Sequence, residues 1–193
     1  MAKRILFVCT GNTCRSPMAH GMLQLMAKQE GVDVEVRSAG VFAIEDAPIS
    51  QHTAEILKNK GYQEELKSRA LDDKDVEWAD LVLTMTMGHK EQVIQRYPES
   101  LDKVYTLKEY VEDPEQLQLW KEREQFISEM EMKMSLNEPL TEEEKKKWEQ
   151  YEQTGPDLDI ADPFGGSKED YENCAQEIET ALKKLLINLK KDE

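Results

Sequence analysis

The stretch Val8-Cys9-Thr10-Gly11-Asn12-Thr13-Cys14-Arg15-Ser16-Pro17-Met18 constrains this chain more than any other. It follows the apolar run Ile5-Leu6-Phe7-Val8, which, bounded by a Thr-Gly-Asn turn, reads as a buried strand of a parallel sheet. Ser16 and Pro17 read as a helix start, with Ser at the N-cap and Pro at the first helical position. A loop between the carboxyl end of a parallel strand and a helix aims several backbone N–H groups, and the positive end of the helix dipole, at one point. That point suits a dianionic phosphoryl group. Arg15 adds a planar fork that can clamp two of its oxygens. Cys9, at the floor of the cradle, would be stabilised as a thiolate by the same amides, the dipole and Arg15, and the Ser16 hydroxyl can donate a further hydrogen bond to it. Gly11 and Asn12 fit a loop that needs positive φ angles. The expected object is a phosphate-sized bowl with a nucleophile at its base, where in-line attack by sulfur gives a phosphocysteine. A Cys and an Arg at this spacing often occur by chance, beside a buried strand end. The strand before, the Gly-Asn turn inside and the Ser-Pro start after make the spacing informative.

The rest of the chain alternates strand and helix. Met18, Met22, Leu25 and Met26 recur at helical spacing until Gly31, and Val32 to Ala39 reads as a second strand ending at Gly40. Helices are expected over Ser50–Lys60, Asp72–Asp80 and Gly88–Tyr97, with strands at Leu81–Met85 and Val104–Leu107. Ser167 and Asp170 resemble a capping box, after which Tyr171, Cys174, Ile178, Ala181, Leu182, Leu185 and Leu189 form one apolar helical stripe. This alternation predicts an α/β, doubly wound parallel sheet with helices on both faces.

The 193 residues suit a single domain, 1–193. A formal net charge of −15 disfavours non-specific binding of nucleic acid or anionic membrane, because the chain repels the same phosphates. No apolar run approaches the ~20 residues of a membrane span. The N-terminal apolar stretch is too short for a signal peptide and lacks a small-residue cleavage site. Three cysteines do not make a secreted disulfide framework, so a cytoplasmic chain with reduced thiols is expected. No Cys/His pattern has metal-ligand spacing and no Gly-rich nucleotide fingerprint occurs, so neither metal nor cofactor is expected.

One segment breaks the rhythm. Glu109 to Gln153 holds 14 acidic and 6 basic residues, with Trp120, Phe126, Met130, Met132, Met134, Trp148 and Tyr151 among them. Asn137-Glu138-Pro139 divides it, and Thr141 with Glu144 forms a second capping-box pattern. A pair of helices, inserted over about 109–155, is the reading. Three fates are open to it: a cover over the pocket, a surface for a protein partner, or a solvated hairpin.

A departing alkoxide, phenolate or amine needs a proton donor. Asp162-Pro163-Phe164-Gly165-Gly166 is the best candidate: Pro stiffens the loop, the glycines let it approach closely, and Phe164 can exclude water. Asp159 is placed to orient the loop or the acid. Without the Cys9 loop, the segment reads better as an ordinary turn before the last helix, capped by Ser167.

Together, Val8–Met18, Ser38-Ala39-Gly40 after the second strand, and Asp162-Pro163 before a final helix resemble the low-molecular-weight protein-tyrosine phosphatase family, over most of the chain. The resemblance implies a flavodoxin-like fold with four parallel strands. By position it implies Cys9 as nucleophile, Arg15 as phosphate clamp and Asp162 as general acid, later base. Asn12 would hold the loop and Ser16 assist the thiolate. Thr10, Gly11, Asn12, Thr13, Cys14, Ser16 and Phe164 complete the implied substrate and phosphate site, and the partner is a phosphorylated protein. Tyrosine-specific members usually have an apolar residue where this chain has Thr13, and two aromatics where it has Phe164-Gly165. Thr13 and the single aromatic resemble the protein-arginine phosphatase branch. A hydroxyl at Thr13 can orient a polar guanidinium leaving group or the attacking water, and Gly165 removes one wall of a phenyl-shaped slot. The acidic insertion is outside the compact family pattern.

Phosphoarginine hydrolysis is therefore the first expectation and phosphotyrosine hydrolysis the alternative. Arsenate reduction would need cysteines in a mobile segment, where Cys174 on a regular helix is badly placed. A non-catalytic phosphoprotein-binding or redox-sensing module would not need Cys9, Arg15 and Asp162 together. Cys14 is open to three readings: a small loop residue, a resolving thiol for oxidised Cys9, or a redox sensor. Cys174 reads as core, and His20, His52 and His89 as scattered, with His20 on a helix surface near the rim.

Overall fold

A computed structural model describes residues 2–153 and 157–191. Two compact units are present, one made of residues 1–111 and 158–193 and the other of residues 112–157. In the first unit, β1 (Lys3–Cys9), β2 (Val34–Gly40), β3 (Leu81–Thr84) and β4 (Val104–Thr106) form an all-parallel sheet in the order β2-β1-β3-β4. The chain winds outward from β1 to β2, then returns across it to β3 and β4. The loops after β1 and β3 therefore diverge, which opens a crevice at the carboxyl end of the sheet. Ile5 pairs with Val36 on one side and Leu81 on the other, so β1 is central and buried on both faces.

Period-two alternation along β1 splits the core. Ile5, Phe7 and Cys9 face one layer, with Met18, Met22 and Leu23 of α1 (Arg15–Glu30) and Ile178, Leu182 and Leu185 of α8 (Lys168–Lys191). Leu6 and Val8 face the other, with Val76 of α3 (Asp73–Trp78) and Val93 of α4 (Met87–Arg96). The apolar stripe read from the last helix is buried at every one of its positions. Burial of each large side chain in it contributes on the order of 2 kcal/mol. Ser167 and Asp170 form the reciprocal capping box: the Ser167 amide donates to Asp170 Oδ2 at 2.6 Å and the Asp170 amide to Ser167 Oγ at 3.3 Å. α1 ends at Gly31, whose φ of 69° closes the left-handed C-cap. Ser50 caps α2 (Gln51–Asn59) and Asp72 caps α3.

Three local expectations need correction. Ser16 is not the N-cap of α1; the cap position is Cys14, without a side-chain bond, and Ser16 lies inside the first turn with its hydroxyl engaged elsewhere. Ser38, Ala39 and Gly40 belong to β2 rather than following it. β4 ends at Thr106, and Leu107–Val111 forms α5, because Thr106 Oγ1 accepts from the Glu109 amide (3.1 Å) and Glu109 Oε2 accepts from the Thr106 amide (3.1 Å). A 3-10 helix over Pro98–Lys103 is a further element that the periodicity did not resolve.

The second unit contains α6 (Pro114–Ser135) and α7 (Glu142–Gln153). Asp113 caps α6 ahead of Pro114, and α6 ends before Asn137, which has a φ of 57°. Thr141 and Glu144 exchange the two capping-box bonds at 2.8 and 3.2 Å. Phe126 meets Tyr151 edge-on at 5.4 Å, Arg123 Nε donates to the Tyr151 carbonyl at 2.7 Å, and Lys133 pairs with Glu144. Residues 154 and 155 of the expected insertion lie outside the described residues. Among the described residues, no helix is long and apolar enough to cross a membrane.

Candidate active site

Cys9 ends β1 and is buried, and its Sγ lies 2.9 Å from Ser16 Oγ. Asn12 Nδ2 donates to the same Ser16 oxygen at 2.8 Å. Ser16 Oγ accepts from Asn12, and its own hydrogen has two acceptors in reach, the Cys9 sulfur at 2.9 Å and the Ala39 carbonyl at 3.5 Å, of which the sulfur is the nearer. Asn12 has a φ of 52° and is wholly buried, a conformation that needs outside support. Its Oδ1 takes that support from the Arg69 amide, at 2.9 Å.

The loop itself is tied on its carbonyl side. The carbonyls of Cys9 and Thr10 accept from Val41 and Phe42 amides at 3.0 and 2.9 Å, Thr13 from Ser50 at 2.9 Å, and Cys14 from Met18 at 3.2 Å. Gly40 is where β2 passes beneath the loop. A Cβ there would stand 2.5 Å from the Thr10 carbonyl oxygen and 2.9 Å from the Asn12 nitrogen, so only glycine allows this approach.

Arg15 is 4% exposed. Its Nη1 donates to the Ile160 carbonyl at 3.2 Å and its Nη2 to Asp162 Oδ2 at 2.7 Å, while its buried Nε has no partner among the described residues. Asp162 Oδ1 accepts from the Phe164 amide at 3.1 Å. Gly165 follows with a φ of 75°, a conformation that disfavours any side chain at this position. The acid loop is anchored upstream: Asp159 Oδ1 accepts from the Met87 amide at 2.7 Å, the Asp159 carbonyl from Lys108 Nζ at 2.6 Å, and the Ile160 amide donates to the Met85 carbonyl at 2.7 Å.

Cys9, Thr10, Gly11, Thr13, Cys14, Arg15, Asp162 and Phe164 line one cavity of about 200 Å³. Eight of the ten residues singled out in the sequence thus share a single wall. The other two, Asn12 and Ser16, lie beneath it and brace it. Phe164 borders the cavity but is 77% exposed, so its ring stands at the mouth and does not seal it. Cys14 Sγ lies 3.3 Å from the Tyr171 hydroxyl of α8. Burial, reinforced by this bond to Cys14, raises the Tyr171 pKa. All three cysteines are free thiols. Cys174 is buried in the α8 stripe, and burial pushes its thiol up to about 12.

His89 is the residue at this site that the sequence left among scattered histidines. It is 6% exposed and lies between Thr10 Oγ1, 2.8 Å from Nε2, and Thr86 Oγ1, 2.9 Å from Nδ1. Burial lowers its pKa to about 4, with nearby Arg15 adding to the effect. Thr86 three positions before His89 signals a helix start, but Thr10, 79 positions away, is invisible to any local pattern. His20 lies near Ser38 rather than on an open helix surface, with its pKa lowered to about 4 by burial. Among the described residues, no cluster of His, Cys, Asp or Glu is placed to hold a metal ion.

Comparison with known proteins places this arrangement in a family. The protein-arginine-phosphatase of Geobacillus stearothermophilus is 37% identical over 193 residues, covering all of both chains. That of Bacillus subtilis (strain 168) is 37% identical over 188 residues, covering 97% of each. A solved structure of the YwlE arginine phosphatase, a Cys-to-Ser mutant with a phosphorylated active-site serine, superimposes with a TM-score of 0.73 at 35% identity, covering 98% of this chain and 97% of that one. Residues 4–121 and 128–193 match the low molecular weight phosphotyrosine protein phosphatase family, and with the four-stranded parallel sheet and full-length relatives in agreement, this chain belongs to that family.

Proposed function

We propose that this chain hydrolyses phosphoarginine in proteins, through Cys9, Arg15 and Asp162. Arg15 Nε supports the reading most directly: it is a buried charged donor without a partner among the described residues, on a side chain that lines the same cavity as Cys9. The Cys9, Thr10 and Thr13 carbonyls are engaged from outside the loop and the Cys14 carbonyl by α1, which supports a loop whose amide edge is left for the remaining phosphoryl oxygens. In the first step the Cys9 sulfur, as thiolate, attacks phosphorus in line. The S–P bond forms as the P–N bond breaks, and the leaving nitrogen takes its electron pair and the proton of Asp162. In the second step water attacks phosphorus and gives a proton to the Asp162 carboxylate. The S–P electron pair then returns to Cys9, with Ser16 hydrogen-bonded to it.

Substrate choice rests on the Thr13 hydroxyl in the cavity wall, and on Gly165 where a second aromatic would narrow the mouth. The names of the two full-length relatives support the same choice. Phosphotyrosine hydrolysis is the alternative, favoured by the exposed Phe164 ring against which a phenyl group can stack. Turnover of a phosphoarginine peptide and a phosphotyrosine peptide of the same sequence decides between them. Preference for phosphoarginine is expected, and preference for phosphotyrosine overturns the substrate assignment. The reading extends to one phosphatase domain with a helical insertion over about 109–155 that serves a protein partner, working in the cytoplasm.

A further inference from the structure

We infer that His89 is a positioning residue for the phosphate-binding loop, an inference that rests on the phosphatase reading above. Its imidazole joins two hydroxyls and leaves neither ring nitrogen idle: Thr10 Oγ1 at 2.8 Å and Thr86 Oγ1 at 2.9 Å. Thr86 Oγ1 accepts from the His89 backbone amide at 3.2 Å as N-cap of α4, and in the tautomer that the inference assigns its own hydrogen goes to Nδ1. Nε2 then carries the ring hydrogen and donates it to Thr10 Oγ1. The Thr10 hydroxyl, satisfied as an acceptor, keeps its hydrogen for another partner, and Thr10 lines the cavity. His89 thus orients a donor at the loop's first residue toward the place where a phosphoryl oxygen would bind. The depressed pKa keeps the imidazole neutral, as these roles require.

The same helical turn holds the acid loop. Two residues before His89, the Met87 amide donates to Asp159 Oδ1 at 2.7 Å, and the Met85 carbonyl accepts from the Ile160 amide at 2.7 Å. The segment from Met85 to His89 therefore braces the Cys9 loop with a side chain and the Asp162 loop with its backbone. That arrangement fixes the nucleophile against the acid. Among the described residues of this segment, His89 is the one whose side chain hydrogen-bonds the phosphate loop, so its loss should weaken anion binding without removing the chemistry.

The test is inhibition of p-nitrophenyl phosphate hydrolysis by inorganic phosphate. His89→Leu is expected to raise KM and the phosphate inhibition constant together, by about five- to tenfold, with kcat changed less than about twofold, as loss of one hydrogen-bond relay implies. His89→Gln, which can donate to Thr10 and accept from Thr86, is expected to bring both within about threefold of wild type. Thr10→Val alters an exposed loop residue, so it keeps the question answerable if His89→Leu does not fold. It should reproduce the loss, and in combination with His89→Gln it should leave nothing for the relay to add. An unchanged inhibition constant in Thr10→Val, equal damage in His89→Gln and His89→Leu, or a fall in kcat at constant KM overturns the inference. Wild-type enzyme that phosphate does not inhibit at all overturns the phosphatase reading instead.

Discussion

Asp162 Oδ2 lies 2.7 Å from Arg15 Nη2, so the residue assigned as proton donor rests on the residue assigned as phosphate clamp. The two sides of the pair differ: the Arg15 side chain is 5% exposed and the Asp162 side chain 50% exposed. On the proposed reading, a phosphoryl group entering the cavity would compete with Asp162 for the same guanidinium and free the carboxyl to face the leaving group, so that one ion pair would couple binding to acid positioning.

Asp162→Asn removes both the proton and the competing anion. Turnover of a phosphoarginine or phosphotyrosine peptide should fall by roughly 10²- to 10⁴-fold, and turnover of an activated aryl phosphate much less. Inorganic phosphate should bind more tightly than to wild type, because Arg15 no longer has an acidic partner. Steady-state rates and phosphate inhibition check both, and equal losses on good and poor leaving groups would remove Asp162 as acid.

Ser16→Ala leaves Asn12 Nδ2 buried without its acceptor and Cys9 without its hydroxyl partner. Stability should fall by about 1–3 kcal/mol and kcat should fall with it, measurable by chemical denaturation and steady-state kinetics. Loss of stability with unchanged kcat would limit Ser16 to scaffolding.

Thr13→Ile replaces the hydroxyl in the cavity wall with an apolar side chain. The ratio of phosphoarginine to phosphotyrosine turnover on matched peptides should shift toward phosphotyrosine. An unchanged ratio would leave Thr13 without a role in selection.

Gly40→Ala pushes a methyl group into the Thr10 carbonyl and the Asn12 amide. Backbone, not a flexible side-chain end, must give way, so a loss of about 1–3 kcal/mol with a larger loss of activity is expected. Thermal unfolding and phosphatase assays check it, and wild-type activity would show that the loop tolerates a wider gap from β2.

Stability should decline as pH falls from about 6.5 to about 4. His20 and His89 keep pKa values near 4 in the folded chain, chiefly through burial, with Arg69 beside His20 and Arg15 beside His89; Asp162 and Asp159 oppose the shift at His89. In that window the unfolded chain binds more protons, so protonation favours unfolding. Asp80, held at about 2 by Arg4, contributes stability lost only at lower pH. Denaturation midpoints across this range check the slope, and His20→Gln with His89→Gln should flatten it.

The local features were legible because their causes are local. The apolar run before Cys9, the capping boxes at Ser167 and Thr141, and the stripe from Tyr171 to Leu189 each follow from neighbours in sequence. Ser16 was misread as a cap because its competing partner Cys9 lies across the loop and outbids the helix terminus. His89 and Asp162 find their partners 79 and 147 positions away, across the sheet's crevice, and only the winding order of the strands brings them together. Gly40 looked like a strand terminus, whereas its role is steric and set by a loop thirty positions earlier.

Trapping the covalent intermediate tests the mechanism most directly. Enzyme quenched in acid during turnover, with Asp162→Ala to slow hydrolysis, should carry one phosphoryl group on the peptide containing Cys9, and Cys9→Ser should bind phosphate without turning over. A phosphoryl group on another residue, or sustained turnover by Cys9→Ser, would contradict nucleophilic catalysis by Cys9.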